Sequence, residues 1–242
     1  MPANTEHRLD FDVADKTNDN SALVSYFQHG MVDAHDFKTN VLMKLTHQFL
    51  EEATFNQLRT IEQLGYVVFT RVSNFKDAKG IQMLVQSPQK GCSHIRNSMD
   101  KHLATMREKA AAIPDEEFAT MVKAVLVNIE EKDKNLAEEN ARFFSIEIDK
   151  HSYIFDRQQR MAETARAVTK AEWQGFYRTL MHGARRRLDL HYNSAAHQEQ
   201  ESKTEFTFEG VQKWESTQQF LQSMELSTDP FKTRYCAHEF KI

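Results

Sequence analysis

Residues 55–70 read FNQLRTIEQLGYVVFT, and the fold turns on the change of period inside this stretch. Upstream of it apolar residues recur at every fourth position, whereas from Tyr66 the run YVVFT, directly after Gly65, is β-branched and aromatic. A long amphipathic helix therefore runs out here, a polar turn with Arg59, Glu62 and Gln63 follows, and a strand opens at Tyr66. A loop held between two rigid elements is both exposed and positioned, which makes Arg59 and Tyr66 candidates to meet a ligand. Glu62, Gln63 and Gly65 are expected to shape the turn, glycine because it tolerates backbone angles closed to other residues.

Working outward, Phe37, Val41, Leu45, Phe49 and Ala53 form the stripe of a helix spanning residues 33–58 and lying on a core. Before it, HRLDFDVA alternates with Leu9, Phe11 and Val13 on one side, and ALVSYF is β-rich, so two strands are expected to pair through the turn DKTNDNS. After it, SNFKDAKG reads as a hairpin turn between Tyr66–Thr70 and the strand Ile81–Gln86. Beyond Gly91 the chain reads as helices. Ile95, Met99, Leu103, Met106 and Ala110 make one stripe, and Pro114 opens the next helix, with Asp115, Glu116 and Glu117 in its first turn. Residues 136–153 form a further helical segment. Asp156 with Gln159 and Thr169 with Glu172 have the capping-box spacing, and RRRLDLHY reads as a last strand, its basic run 185–187 a solvated strand entry. Phe143, Phe144, Trp173, Phe176 and Tyr177 are expected in the core.

The plan is an α+β two-layer domain over residues 1–193, a mostly antiparallel sheet of five or six strands with helices packed on one face. Residues 194–242 follow as a polar connector and C-terminal extension with one helix, where Phe206, Phe208, Trp214 and Phe220 are candidates to pack on another domain.

A chain of 242 residues with 40% hydrophobic content can fill a core, and seven glycines and four prolines against 27% charged residues favour helices. The net charge of −4 gives no electrostatic footprint for nucleic acid. No run of about 18 apolar residues suggests a membrane span. Two distant cysteines, Cys92 and Cys236, and a start without signal-peptide character point to a reducing, cytoplasmic setting.

Chemistry has few carriers. The zinc motifs H-x-x-E-H and H-E-x-x-H are absent, and the eleven histidines share no helical ligand spacing. Glycine-rich phosphate loops, G-x-S-x-G and Cys-x-x-Cys are also missing from the sequence. No metal or cofactor is assigned to this chain. Arg59 and Tyr66 remain, with two readings: an ordinary surface pair of Arg59 with Glu62 beside a solvated strand tyrosine, or two groups presented to a ligand.

The block FNQLRTIEQLGYVVF, preceded by NSALVSYFQHG and followed by IQMLVQS, resembles the fourth, C-terminal domain of the insulysin (insulin-degrading-enzyme) group of inverzincin metallopeptidases. The resemblance extends over residues 20–192 and is densest at L-R-T-x-E-Q-L-G-Y. It implies the fold repeated in LuxS and mitochondrial-processing-peptidase-like metallohydrolases, with zinc held in the first domain of the intact enzyme. It implies that this domain is non-catalytic by itself, closes the substrate chamber and partners the enzyme's N-terminal catalytic half. By the same resemblance Arg59 binds a carbonyl of the peptide substrate, and Tyr66 donates toward the oxyanion at the scissile carbonyl. The alternative is a metal-free pseudo-enzyme that serves as a protein-binding scaffold subunit. A homodimer is compatible with either.

Overall fold

The computed structural model describes residues 1–75, 78–183, 185–199 and 210–223. A six-stranded sheet has the order β3-β4-β2-β5-β1-β6, from β1 (Thr5–Asp12), β2 (Ser21–Met31), β3 (Val67–Phe75), β4 (Ala78–Ser87), β5 (Arg186–Asn193) and β6 (Val211–Trp214). The pairings β3–β4, β4–β2 and β2–β5 are antiparallel, while β5–β1 and β1–β6 are parallel. One face is covered by α1 (Phe37–Phe55), α2 (Cys92–Ala112) and α6 (Lys170–Met181), with α3 (Asp115–Glu130) and α5 (Arg157–Ala167) packed outside α1. Two shorter helices are α4 (Leu136–Asn140) and α7 (Thr217–Ser223). The fold is α+β, as the alternation of period implies.

Helix α1 begins at Phe37, the first residue of the apolar stripe and four residues after the start of the expected span 33–58, because Asp36 caps it by accepting from the Thr39 N–H at 2.9 Å. Its stripe buries Val41, Leu42, Leu45 and Leu50 against Leu23, Phe27 and Met83 of the sheet. Burial of each such side chain contributes about 1.5–3 kcal/mol relative to exposure. The Thr169–Glu172 box closes both ways at the start of α6. At α5 it does not: the Asp156 carboxylate accepts from Arg160 at 2.7 Å instead of capping the helix.

β1 and β2 do not form the expected hairpin. β5 lies between them, and the register shows why. On the helix-covered face β5 presents Arg187, Asp189 and His191, and the parallel pairing sets Glu6, Arg8 and Asp10 of β1 beside them in that order. Charges of opposite sign stand in register at the first two of these steps, whereas β2 places Phe27, Ser25 and Leu23 on the other side of the same residues. The run 185–187 is accordingly not a solvated entry. Arg187 is fully buried, its Nε donates to Asp189 at 2.8 Å, and Arg96 of α2 reaches Asp189 at 2.9 Å and Glu6 at 2.6 Å. Ser25 also donates to Asp189, at 2.6 Å.

Trp173 and Tyr177 are core residues, but Phe144 is exposed and Phe143 only half-buried. Trp214 in β6 donates to His7 Nδ1 at 3.1 Å and Phe220 of α7 packs on the same ring, so this part of the C-terminal extension is continuous with the sheet. Phe206, Phe208 and Cys236 lie outside the described residues.

Candidate functional site

The end of α1 is wider than an ordinary helix. Residues Asn56–Ile61 continue it as a π turn, so Arg59 stands on the helix and not in the loop after it. Glu62 N–H donates to Gln57 O at 2.9 Å and Leu64 N–H to Leu58 O at 3.0 Å, a close one residue wider than the usual Schellman arrangement. Leu58 and Leu64, both buried, pin the two ends of this close to the core.

The left-handed angle that the close requires falls on Gln63, at φ 52°, and not on the glycine. Gly65 is constrained for another reason. A Cβ there would stand 1.9 Å from the Gln86 carbonyl oxygen of β4. The missing side chain is what lets the turn lie against the β4 backbone before β3 begins at Val67. Glu62 is turned back into the turn, accepting from Gln57 Nε2 at 2.9 Å.

These constraints aim Arg59 and Tyr66 outward together. The Arg59 guanidinium carbon lies 4.5 Å from the centroid of the Tyr66 ring and 4.7 Å from that of Phe55, four residues earlier on the same helix. Arg59 is half-buried while Tyr66 is 81% exposed. The surface pairing of Arg59 with Glu62, one of the two readings of the sequence, does not form, and among the described residues Arg59 has no carboxylate within ion-pair distance. Cation–π contact holds the guanidinium plane without saturating its five N–H donors, so they stay available to an incoming acceptor. The phenol hydroxyl adds a further donor beside them. Two cavities of this fold are not lined by Arg59 or Tyr66, and the Tyr66 ring faces solvent.

Beneath the turn, His102 of α2 is buried with Nε2 3.0 Å from Thr54 Oγ1 of α1. Burial pushes its pKa down to about 4 against the opposing field of Glu62. His102 is therefore neutral at ordinary pH and ties α1 to α2 under the site. Phe55, the second ring on Arg59, is a residue that motif reading passed over. Its signal is the i, i+4 spacing to Arg59, which has meaning only if the helix continues past residue 58. Among the described residues no group of three or more His, Cys, Asp and Glu is gathered so as to hold a metal ion, and no helix is long and apolar enough to cross a membrane.

Residues 45–144 match the family model described as PQQ synthase PqqF-like, C-terminal lobe domain 4. The chain is 35% identical to insulin-degrading enzyme-like 2 of Arabidopsis thaliana over 68% of its length and 17% of that protein. To the human insulin-degrading enzyme it is 27% identical over 69% of its length and 16% of that protein. The chain thus spans about a sixth of the length of these relatives. The crystal structure of pitrilysin superposes with a TM-score of 0.74 over 93% of this chain and 23% of that one, at 22% identity, a likeness of fold. The peptidase M16 inactive domain from Pseudomonas fluorescens superposes at 0.58 over 79% of this chain and 44% of that one, at 8% identity.

Proposed function

This chain is a C-terminal domain of the insulysin type, and on that premise we propose that it forms part of the wall of a substrate chamber and lends two hydrogen-bond donors to peptide cleavage carried out elsewhere in the enzyme. Among the described residues no three His, Cys, Asp or Glu gather to hold a metal ion, so no step of the reading passes through one in this chain, and in this reading another domain supplies the metal and the general base. Arg59 donates to a backbone carbonyl of the bound peptide. Tyr66 donates toward the scissile carbonyl oxygen as negative charge develops on it, a contribution made in the transition state and hence to the rate.

The observation that carries the reading is the state of the Arg59 guanidinium. Two aromatic rings fix its plane, no carboxylate neutralises it among the described residues, and an exposed phenol stands beside it. A donor set positioned in this way and left without acceptors is suited to a ligand's carbonyl oxygens. The exposure of Tyr66 to solvent accords with a chamber closed by a second body.

The test is reconstitution. This chain is mixed with a separately produced N-terminal half of an insulysin-type enzyme bearing H-x-x-E-H, and cleavage of a fluorogenic peptide is followed. Cleavage is expected only in the mixture, and Arg59→Ala or Tyr66→Phe is expected to lower it by roughly 10–100-fold. Restored cleavage that neither substitution changes would overturn the assigned roles. No cleavage with both halves folded and associated would leave the metal-free binding subunit as the better reading.

A further inference from the structure

Away from Arg59 and Tyr66, a cavity of about 330 Å³ lies between α1, the end of α3, the segment after α4 and the start of α5. Its size is at the small end of the range for ligand pockets, roughly 300–1,000 Å³. The wall is apolar where Phe143, Ile154, Phe155 and Met161 meet, and the rim is unusual. In the π turn Ala141–Ile148 the one fully buried residue is Glu147, while Phe144, Ile146 and Ile148 face solvent, followed by exposed Tyr153 and Phe155. A segment that buries its acid and exposes its apolar side chains has surface to cover.

The charges on the lining are unequal in state. Arg157 is bound to Glu147, with Nη2 donating to Oε2 at 3.0 Å, and Arg142 is bound to Asp133 at 2.7 Å. Lys44 of α1 is different. It is exposed to solvent on the lining, and among the described residues no carboxylate stands within ion-pair distance of its ammonium. Partial desolvation without a counter-charge draws its pKa below that of an ordinary lysine.

We propose that this cavity binds the C-terminus of a peptide ending in an apolar residue, the last side chain entering the Phe143–Phe155 end and the terminal carboxylate pairing with Lys44. A chain terminus is the place in a peptide where a carboxylate and an apolar side chain share one carbon, and the cavity sets an unpaired cation beside an apolar wall. Asp and Glu side chains carry their acid without an apolar group next to it. The inference takes from the proposed function only that the ligand is a peptide; the pocket and its residues are separate.

The test uses the full chain and a fluorescein-labelled hexapeptide ending in phenylalanine, as the free acid and as the C-terminal amide, read by anisotropy. The acid is expected to bind at least about 10-fold more tightly, a charge-assisted contact in a partly desolvated site. Lys44→Met should remove that preference, and Phe155→Ala should weaken both forms. Arg59→Ala with Tyr66→Phe should change neither, which separates this pocket from the proposed cleavage site. Should Lys44→Met misfold by circular dichroism, Lys44→Gln serves in its place. Equal affinity of acid and amide, a preference that survives loss of Lys44, or no binding of the acid at millimolar concentration would each overturn the proposal. 3-Phenylpropionic acid, added as competitor, should displace the peptide weakly; displacement as strong as by the unlabelled peptide would assign the cavity to small acids and overturn the peptide assignment.

Discussion

The guanidinium of Arg59 and the ring of Tyr66 come within 4.5 Å of each other across a turn whose backbone is set by neither of them. Arg59 arrives from a widened helix end and Tyr66 from the entry to β3, and what brings them together is the close between Leu58 and Leu64. The two side chains are thus coupled energetically as well as spatially. In a double-mutant cycle of Arg59→Ala and Tyr66→Leu, the interaction energy in folding should be about 0.5–1 kcal/mol, the size of an exposed cation–π contact. Urea denaturation of the four proteins measures it. Arg59→Lys should recover little of the coupling, since a compact ammonium cannot stack as a planar guanidinium does.

Phe55 provides the other ring, at 4.7 Å, and it is 40% exposed, so its removal should cost little stability. Phe55→Ala is expected to change the unfolding free energy by less than about 1 kcal/mol. In the reconstituted enzyme it should raise KM for the fluorogenic peptide severalfold with a smaller effect on kcat, because it loosens a binding donor and leaves the Tyr66 hydroxyl in place.

Gly65 and Gln63 make opposite predictions. A methyl group at residue 65 would overlap the Gln86 carbonyl oxygen at 1.9 Å, and neither backbone can yield without breaking the β3–β4 register. Gly65→Ala should therefore destabilise by at least about 2–3 kcal/mol, in the class of overpacking in a fixed site. Gln63→Gly releases a non-glycine residue from φ 52° and should be neutral or stabilising by a few tenths of a kcal/mol to about 1 kcal/mol. Thermal melts of both variants distinguish the two positions; a milder effect at Gly65 than at Gln63 would reverse the account of the turn.

How far the fold could be read from the sequence depended on the range of the interaction concerned. Periods of four and of two marked α1, α2, α3, α6 and most strands, since each is decided by residues within one or two turns of each other. The pairing of β1 was hidden because its partner is about 180 residues away, and the polar turn DKTNDNS between β1 and β2 offered a closer but wrong partner. β5 misled in a more instructive way. RRRLDLHY alternates, and the ordinary reading puts Leu188 and Leu190 inside and the charges in water. In the structure Arg187, Asp189 and His191 are the buried set, because α2 brings Arg96 and Asp100 to meet them. At the candidate site, the L-R-T-x-E-Q-L-G-Y resemblance is what singled out Arg59 and Tyr66, which the structure brings side by side. The π turn was not legible, since NQLRTI is compatible with an ordinary helix and the extra residue is taken up in a close that ends where Gly65 lies against β4.

That buried charge cluster is itself testable. Asp189 accepts from Arg187 and Ser25 and is ion-paired with Arg96 at 2.9 Å, with no exposure to solvent, and the charges of Arg187 and Arg96 with the Ser25 hydrogen bond hold its carboxyl below the usual carboxylate range despite burial. Asp189→Ala would remove the one fully buried carboxylate between two buried guanidinium groups, leaving Arg187 to Asp100 and Arg96 to Glu6 and Asp100, and should cost up to about 3–5 kcal/mol, the scale observed when one partner of a buried pair is removed. Replacing the group together, with Asp189→Leu, Arg187→Met and Arg96→Met, should lose much less than the single change. If the triple variant is the less stable of the two by chemical denaturation, the charges contribute net stability beyond pairing.

Acid should loosen the fold before the carboxylates are protonated, and the sign follows from the histidines. Burial lowers His102 to about 4 and His191 to about 3 in the folded chain, against 6.5 when unfolded. Between those values the unfolded chain binds more protons than the folded one, so stability falls as pH drops from about 6.5 and the loss is complete only below the folded values. Every tenfold weakening of proton binding by folding corresponds to ~1.4 kcal/mol. Urea midpoints measured at pH 7.5, 6, 5 and 4.5 should therefore decline steadily. His102→Asn retains a partner for Thr54 but cannot take a proton, and its midpoints should decline less steeply over the same range. Parallel slopes for the two proteins would mean that His102 is not held neutral between α1 and α2, and the tie beneath the Arg59 turn would have to be sought in another contact.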